Sequence, residues 1–123
     1  MGLSVTSEGG GFQKLVFENV LDTLPGGVNM DFTGYTVGVN GYMPEGTCIG
    51  RVIATGIGKV IADPAAPGTG IEVLGLSYRD TKVEVNSFVG VVISGTARKK
   101  ALPANEQTKL AALKTALPRI TLV

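Results

Sequence analysis

The stretch FVGVVISGTA, residues 88–97, is the longest β-type run in the chain. In an extended conformation Val89, Val91 and Ile93 share one face of this run. Val92 points to the opposite face, so the run is apolar on both sides. A strand of this kind is normally central in a sheet or buried at an interface between subunits. We therefore predict that Val89, Val91 and Ile93 are core or subunit-contact residues.

Shorter segments with alternating or continuous apolar residues lie on either side of this run, separated by turns rich in glycine and proline. The turns are predicted at residues 24–27 and 44–46, and residues 55–58 are expected to close a hairpin. Residues 63–70 contain two prolines and two glycines and predict a surface loop. The predicted strands cover residues 15–20, 28–32, 48–54, 59–62, 71–76, 82–85 and 120–123.

Residues 106–117 predict a single helix, because they contain no glycine or proline and are rich in strong helix formers. Pro103 suits the first turn, Asn105 is a candidate N-cap, and Pro118 would stop the helix. The apolar stripe that we expect to dock on the sheet consists of Leu110, Leu113 and Leu117.

The order of these elements predicts a mainly β (α+β) fold: a small glycine-rich β-barrel or β-tulip-like domain with one C-terminal helix and a short final strand. A chain of 123 residues suffices for one domain, which we place at residues 15–123. Residues 1–14 are polar and contain three successive glycines, so they predict a flexible N-terminal arm. We find no membrane-spanning run and no secretory signal, so we expect no membrane partner.

The residues needed for ordinary enzyme chemistry are scarce. The sequence has no histidine, and its single cysteine, Cys48, is expected to be a small core residue. Glu72 and Glu84 could form a glycosidase-like carboxylate pair, but solvent-facing positions on two strands are the favoured interpretation. Residues 56–59, Gly-Ile-Gly-Lys, lack the spacing and the hydroxyl residue of a phosphate loop. We therefore expect no catalytic, cofactor-binding or metal-binding residues and no enzymatic activity.

The overall charge and composition favour contacts with other proteins. The net charge of +1 and the short basic run at residues 98–100 predict no binding to nucleic acid. Charged residues make up only 17% of the chain, and the mean hydropathy is +0.29. Typical globular domains have about 25% charged residues, so part of this surface is expected to be covered by other subunits.

The C-terminal two-thirds of the sequence is similar to a known family. Residues 44–50, PEGTCIG, match a P-x-G-T-x-I/V-G entry into a β-domain. Residues 91–98 are followed by Leu-Pro, the predicted helix and the terminal segment 117–123. Over residues 42–123 this succession resembles tailed-phage head-decoration proteins of the lambda type and the capsid-bound domain of phage head-fibre proteins.

The resemblance implies a non-enzymatic homotrimer that sits on the outer capsid surface of the virion, after assembly in the host cytoplasm. Its partner would be the major capsid protein, whose neighbouring subunits it would clamp together. On grounds of exposure we place the capsid contacts in the arm and in the glycine-rich segment 33–47, whereas Val89, Val91 and Ile93 would form core or trimer contacts. A small-ligand-binding β-barrel module is the alternative. The candidate capsid contacts are Phe12, Leu15, Tyr35 and Tyr42.

Overall fold

The computed structural model describes residues 16–33, 35, 41–84 and 87–123. These residues form a mainly β structure with short helical segments near the C-terminus, which confirms the predicted fold class. The strands are β1 (Phe17–Thr23), β2 (Val28–Asn29), β3 (Tyr42–Met43), β4 (Cys48–Val52), β5 (Gly58–Val60), β6 (Ile71–Ser77), β7 (Thr81–Lys82), β8 (Phe88–Val89), β9 (Val91–Ala97) and β10 (Ile120–Leu122). The helical segments are a 3₁₀ turn (Lys99–Ala101), α1 (Ala104–Gln107) and α2 (Leu110–Ala116).

The main sheet has six strands in the order β1-β9-β6-β4-β5, with β10 added beside β9. Strand β9 is its centre. One edge of β9 pairs antiparallel with β1, whereas Val92 pairs with Leu76 of β6 and Gly95 pairs in parallel with Ile120 of β10. The central position predicted for this run and the predicted final strand are both confirmed.

The predicted strand at residues 88–97 is divided in two at Gly90. Phe88 and Val89 leave the main sheet and pair with Asn29 and Val28 in a separate two-stranded ladder. The carbonyl of Gly90 accepts a hydrogen bond from the Tyr78 amide at 2.9 Å, which fixes the point where β9 joins the main sheet. A second small ladder joins β3 to β7.

Both faces of the main sheet are covered, as the apolar character of β9 requires. The helix-side core lies beneath the C-terminal segment, and the strand-side core lies beneath the short strands β2, β3 and β8. The helix-side core comprises Val16, Cys48, Ile61, Leu76, Val92, Ala97, Leu102, Leu113, Leu117 and Ile120. The strand-side core comprises Val28, Met30, Met43, Ile49, Val89 and Val91.

The predicted single helix is wrong in detail, because α1 and α2 are separated at Thr108 and Lys109. The Thr108 hydroxyl donates to the Asn105 carbonyl at 2.6 Å, and both turn amides bond three residues back instead of four. A threonine hydroxyl that competes in this way favours a break in the helix. The N-cap prediction is also wrong: Pro103 occupies that position, and the Asn105 side chain donates to the Ala62 carbonyl at 2.8 Å. The leucine stripe does dock on the helix-side core.

The predicted barrel is not closed by the described strands. Strand β5 is joined to the region of β2 by one parallel bridge, between Met30 and Gly58. The strands therefore curl around the strand-side core without a continuous ladder. Its central residues Met43, Ile49 and Val91 are fully buried, so packed side chains fill the place where a barrel would have a lumen.

Gly75 is expected to be essential for the close approach of β6 to β9. A Cβ atom at this position would overlap the backbone carbonyl oxygen of Val92, whereas a Cβ at Gly90 would make an ordinary contact of 3.6 Å with Tyr78. Overpacking against rigid backbone costs about 1–3 kcal/mol. Gly75→Ala should therefore lower the free energy of unfolding by about that amount, measured by urea denaturation, and Gly90→Ala should leave it nearly unchanged. Equal effects of the two substitutions would contradict this account.

Candidate functional site

The clearest concave site is a cleft of about 480 Å³ beside the free edge of β5. Three parts of the chain meet there: the segment that follows β2, the turn between β3 and β4, and the start of α1. The site therefore lies where the helical segments that cover one face of the main sheet meet the short strands that cover the other face. Its lining residues are Asp31, Thr33, Tyr35, Pro44, Thr47, Lys59, Val60, Ala62, Pro103, Asn105 and Glu106.

Glu106 is the most unusual residue of the cleft, because it is an acidic residue that is only 3% exposed. It lies in α1, which is held against the sheet by the bond between Asn105 and the Ala62 carbonyl. The backbone amide of Cys48, at the start of β4, donates to Oε2 of Glu106 at 3.1 Å. Burial raises the pKa of Glu106 above its ordinary value, and hydrogen bonds from backbone amides and from Asn105 offset only part of that effect.

An ion pair between Asp31 and Lys59 lies at the mouth of the cleft. The Lys59 ammonium and Oδ2 of Asp31 are 3.3 Å apart, and both side chains are about one-third exposed or more. The hydroxyl and the amide of Thr33 also donate to Asp31, at 2.6 and 3.0 Å. These hydrogen bonds, together with Lys59, lower the pKa of Asp31 to about 2. Lys59 is therefore already matched by a carboxylate.

Tyr35 is the predicted contact residue that the cleft contains. Its ring is half-buried, and burial together with the negative charge of Glu106 raises the pKa of its hydroxyl. Tyr42 lies elsewhere, on β3 opposite Lys82, and is 46% exposed. Phe12 and Leu15 fall outside the described residues, as does the whole of the predicted arm, residues 1–14.

The predicted core or trimer residues belong to the strand-side core. Val89 and Val91 are fully buried there, and Ile93 packs against the cluster as a partly buried side chain. Val89 and Val91 leave no surface for a subunit contact. Within the run 88–97, Phe88, paired with Asn29, is the large apolar side chain that is exposed.

The carboxylates considered from the sequence do not form a pair. Glu84 lies beyond the end of β7, which is not a neighbour of β6, and Glu72 instead forms an ion pair with Arg51 at 2.6 Å. Glu84 faces Lys82 at 4.0 Å on the surface. Solvent-facing positions, the favoured interpretation, are therefore confirmed.

The thiol of Cys48 is the other reactive group considered from the sequence. Cys48 is fully buried in the helix-side core, as predicted, and burial raises the pKa of its thiol to about 12, so the thiolate nucleophile does not form near neutral pH. Within the described ranges, no three His, Cys, Asp or Glu side chains come together as they would around a metal ion. No helical segment in those ranges has the length and apolar character needed to cross a membrane.

Glu106 was not singled out from the sequence, although a signal was present. It stands four residues before Leu110, seven before Leu113 and eleven before Leu117, on the same helical stripe. A charged residue on an otherwise apolar stripe predicts a buried charge. The break in the helix does not remove this residue from the packed face.

Comparison with known proteins adds no relative. No protein-family model matches the sequence, and neither the curated protein sequences nor the solved structures give a match. The function must therefore be argued from the residues and their geometry.

The raised pKa of Glu106 predicts a pH-dependent cost to stability. The folded state holds this proton more tightly than the unfolded state, so stability falls as pH rises from about the ordinary carboxyl pKa and levels off once both states are ionised. Glu106→Gln keeps a carbonyl acceptor for the Cys48 amide and removes the charge. We expect the variant to exceed the wild type in unfolding free energy at pH 8 and to lose this advantage near pH 4, in urea denaturation at both values. A Gln variant that is less stable than the wild type at pH 8, with a deficit that disappears near pH 4, would show that the buried charge is itself stabilising.

Proposed function

We propose that this protein is a structural component of a tailed-phage virion, a homotrimer that decorates the outer capsid surface and holds neighbouring capsid subunits together. The similarity that suggests this role rests on an order of features at the C-terminal end. That end consists of the central strand β9, a short loop, helical segments and the terminal strand β10 beside β9. The fold is thus compatible with the proposed family.

The observation that carries the proposal is the exposure of large apolar side chains on a domain whose cores are already filled. Phe88 is 68% exposed and Leu21 70% exposed, although smaller apolar residues of the same strands or their neighbours are buried. Scattered exposed apolar residues are ordinary, but a large aromatic beside an apolar concavity indicates a protein interface. Phenylalanine can bury about 150–250 Å² on association, so its exposure is costly for a monomer.

A shallow groove with a mainly apolar lining, which also includes Asp31 and Glu84, adjoins the ladder of β2 with β8 that carries Phe88. Asn29, the strand partner of Phe88, lines a concavity of about 460 Å³ together with Phe32, Ile57 and Val83. In the described part of the chain, Oδ1 of Asn29 is buried without a hydrogen-bond partner. We assign this groove to Phe88 of a second copy of the chain. Copies that join through two different surface patches form a closed ring of three when each copy is rotated by 120° relative to the previous one, which gives a trimer.

The capsid-facing surface is proposed to include Tyr42 and the N-terminal arm. Among the described strands, β1 lies at one edge of the main sheet with Leu21 exposed on it, and the predicted arm precedes β1 in the sequence. An edge strand of this kind can accept a further strand from a partner. Three copies of a modest contact would give a large gain in avidity on a repeating shell.

The alternative function, a ligand-binding barrel, is favoured only by the cleft at Glu106. The described strands enclose packed side chains and no lumen, so a ligand would have to bind at the surface. Decoration of a shell accounts for the exposed apolar residues, which a ligand-binding module does not require.

The trimer contact is tested by substituting either side of it. Wild-type protein should be trimeric by size-exclusion chromatography with light scattering, and both Phe88→Asp and Ile57→Glu should be monomeric with unchanged circular dichroism. An interface aromatic of this type contributes 2 kcal/mol or more, so trimerisation should weaken at least about 30-fold. Tyr42→Ser, assigned to the capsid face, is the matched control and should remain trimeric.

A mixture of the two monomeric variants gives a sharper result. The Ile57→Glu variant keeps Phe88, and the Phe88→Asp variant keeps the groove, so one molecule of each can form a single contact. The mixture should therefore contain one-to-one heterodimers and no trimers. A wild-type protein that is monomeric at millimolar concentration would refute the assembly, and a Phe88→Asp variant that stays trimeric would refute the assigned contact.

The arm is tested by deletion of residues 1–13. Val16 is buried in the helix-side core and its carbonyl accepts the Arg98 amide at 2.6 Å, so the domain should fold and trimerise without the arm. Occupancy on shells assembled from the major capsid protein of the same genome should be lost, measured by co-sedimentation. Undiminished occupancy of the truncated protein would exclude the arm from capsid binding.

A further inference from the structure

Glu106 is a buried acidic residue that forms no ion pair with any described residue. Among the described residues, the ion pairs engage Glu18, Asp22, Asp31, Glu72 and Glu84, all near the surface, and none engages Glu106. Removing a carboxylate from water is costly unless a cation or several hydrogen bonds compensate for it. A glutamine would satisfy the Cys48 amide equally well, so the need for that hydrogen bond does not explain the charge.

The cleft above Glu106 has the surroundings that a bound cation requires. Its charged groups are two carboxylates, Asp31 and Glu106, against one ammonium, Lys59, so the lining carries one excess negative charge. Lys59 is held by Asp31 at the mouth and is not bonded to Glu106. An anionic ligand would meet Glu106 at the floor and would have to break the Asp31–Lys59 pair.

The walls of the cleft are suited to an alkyl chain. Apolar surface comes from Pro44, Val60, Ala62 and Pro103, and the half-buried ring of Tyr35 also lines the cleft. Long basic side chains lay their methylene stems along apolar surface and keep the charged end with a polar partner. An aromatic ring close to the cation adds a favourable cation–π contact.

We propose that this cleft is a binding site for a primary ammonium or guanidinium group carried on an alkyl stem, with the Glu106 carboxylate as its acceptor. The group enters from the β5 edge, its stem lies along Val60 and Pro103, and its N–H donors reach Glu106. The same chemistry is offered by a lysine or arginine side chain of a partner protein and by a free small polyamine. This inference does not depend on the capsid proposal.

The site is tested with simple cations on the full chain. Binding of n-butylammonium and n-butylguanidinium is followed by chemical-shift perturbation in ¹⁵N-labelled protein at pH 8, with n-butanol as the neutral control. We expect millimolar dissociation constants, with shifts at Thr47, Lys59 and Glu106, and no such shifts with butanol. Absence of binding by both cations at 50 mM would overturn the proposal.

Matched variants then identify the acceptor. A charge-assisted hydrogen bond of this kind contributes about 10- to 100-fold in affinity. Glu106→Gln should therefore weaken cation binding at least 10-fold with an unchanged amide spectrum elsewhere, while Glu84→Gln, which removes an exposed carboxylate outside the cleft, should have no effect. Cation binding that persists in Glu106→Gln would overturn the assignment.

The pH dependence and the source of the cation are the last two measurements. Affinity should fall as Glu106 becomes protonated, whereas the mouth carboxylate of Asp31 stays ionised to about pH 2 and Tyr35 and Cys48 stay neutral. An affinity that is independent of pH between 8 and 4 would contradict the role of Glu106. Tighter binding of spermidine than of capped lysine or arginine would indicate that the ligand of the site is a free polyamine. Tighter binding of capped lysine or arginine would indicate that the ligand is a basic side chain of a partner protein.

Discussion

The burial of both faces of β9 is the constraint on which the other elements depend. Val92 points into the helix-side core, and Val91 points into the strand-side core. A sheet with one solvated face would expose one of these sets of side chains, at a cost of about 1.5–3 kcal/mol for each large residue. The chain therefore has to supply two covers. The C-terminal helical segments form one of them, and the short strands β2, β3 and β8 form the other.

The same constraint explains why glycine is needed inside the sheet. Gly75 of β6 lies against the Val92 backbone and leaves no space for a Cβ atom. Gly95 of β9 lies similarly against the backbone of Asn19 in β1, at a point where the register of the two strands shifts. These close approaches let one strand pair with β1, β6 and β10 together. A glycine in a strand weakens it intrinsically, so its presence there indicates close packing.

Much of the fold follows from local sequence, and the remainder depends on contacts distant in the chain. The β4–β5 hairpin, the turn at Pro25-Gly26 and the terminal strand were predictable because turn residues and alternation are local signals. The parallel ladder of β10 with β9 pairs residues 25 apart in the chain, and the ladder of β2 with β8, which divides residues 88–97 at Gly90, pairs residues 59 and 61 apart. The break at Thr108 depends on one side-chain hydrogen bond that competes with the helix. Of the site, Tyr35 was named as a contact residue, but the partners that bury Glu106 come from β4 and the β5 edge and carry no local signal.

The position of the cleft follows from the two-cover architecture. Each cover is apolar where it faces the sheet, and the two covers meet beyond β5, which is the edge strand of the main sheet among the described strands. Backbone groups at such a junction cannot all be satisfied by sheet pairing, and here the Cys48 amide bonds to Glu106 and the Ala62 carbonyl to Asn105. Polar side chains are therefore required at this junction, whereas either core would exclude them. A carboxylate placed there is buried by the packing of both covers and also lines the cleft, so the proposed cation would bind it without unfolding either core.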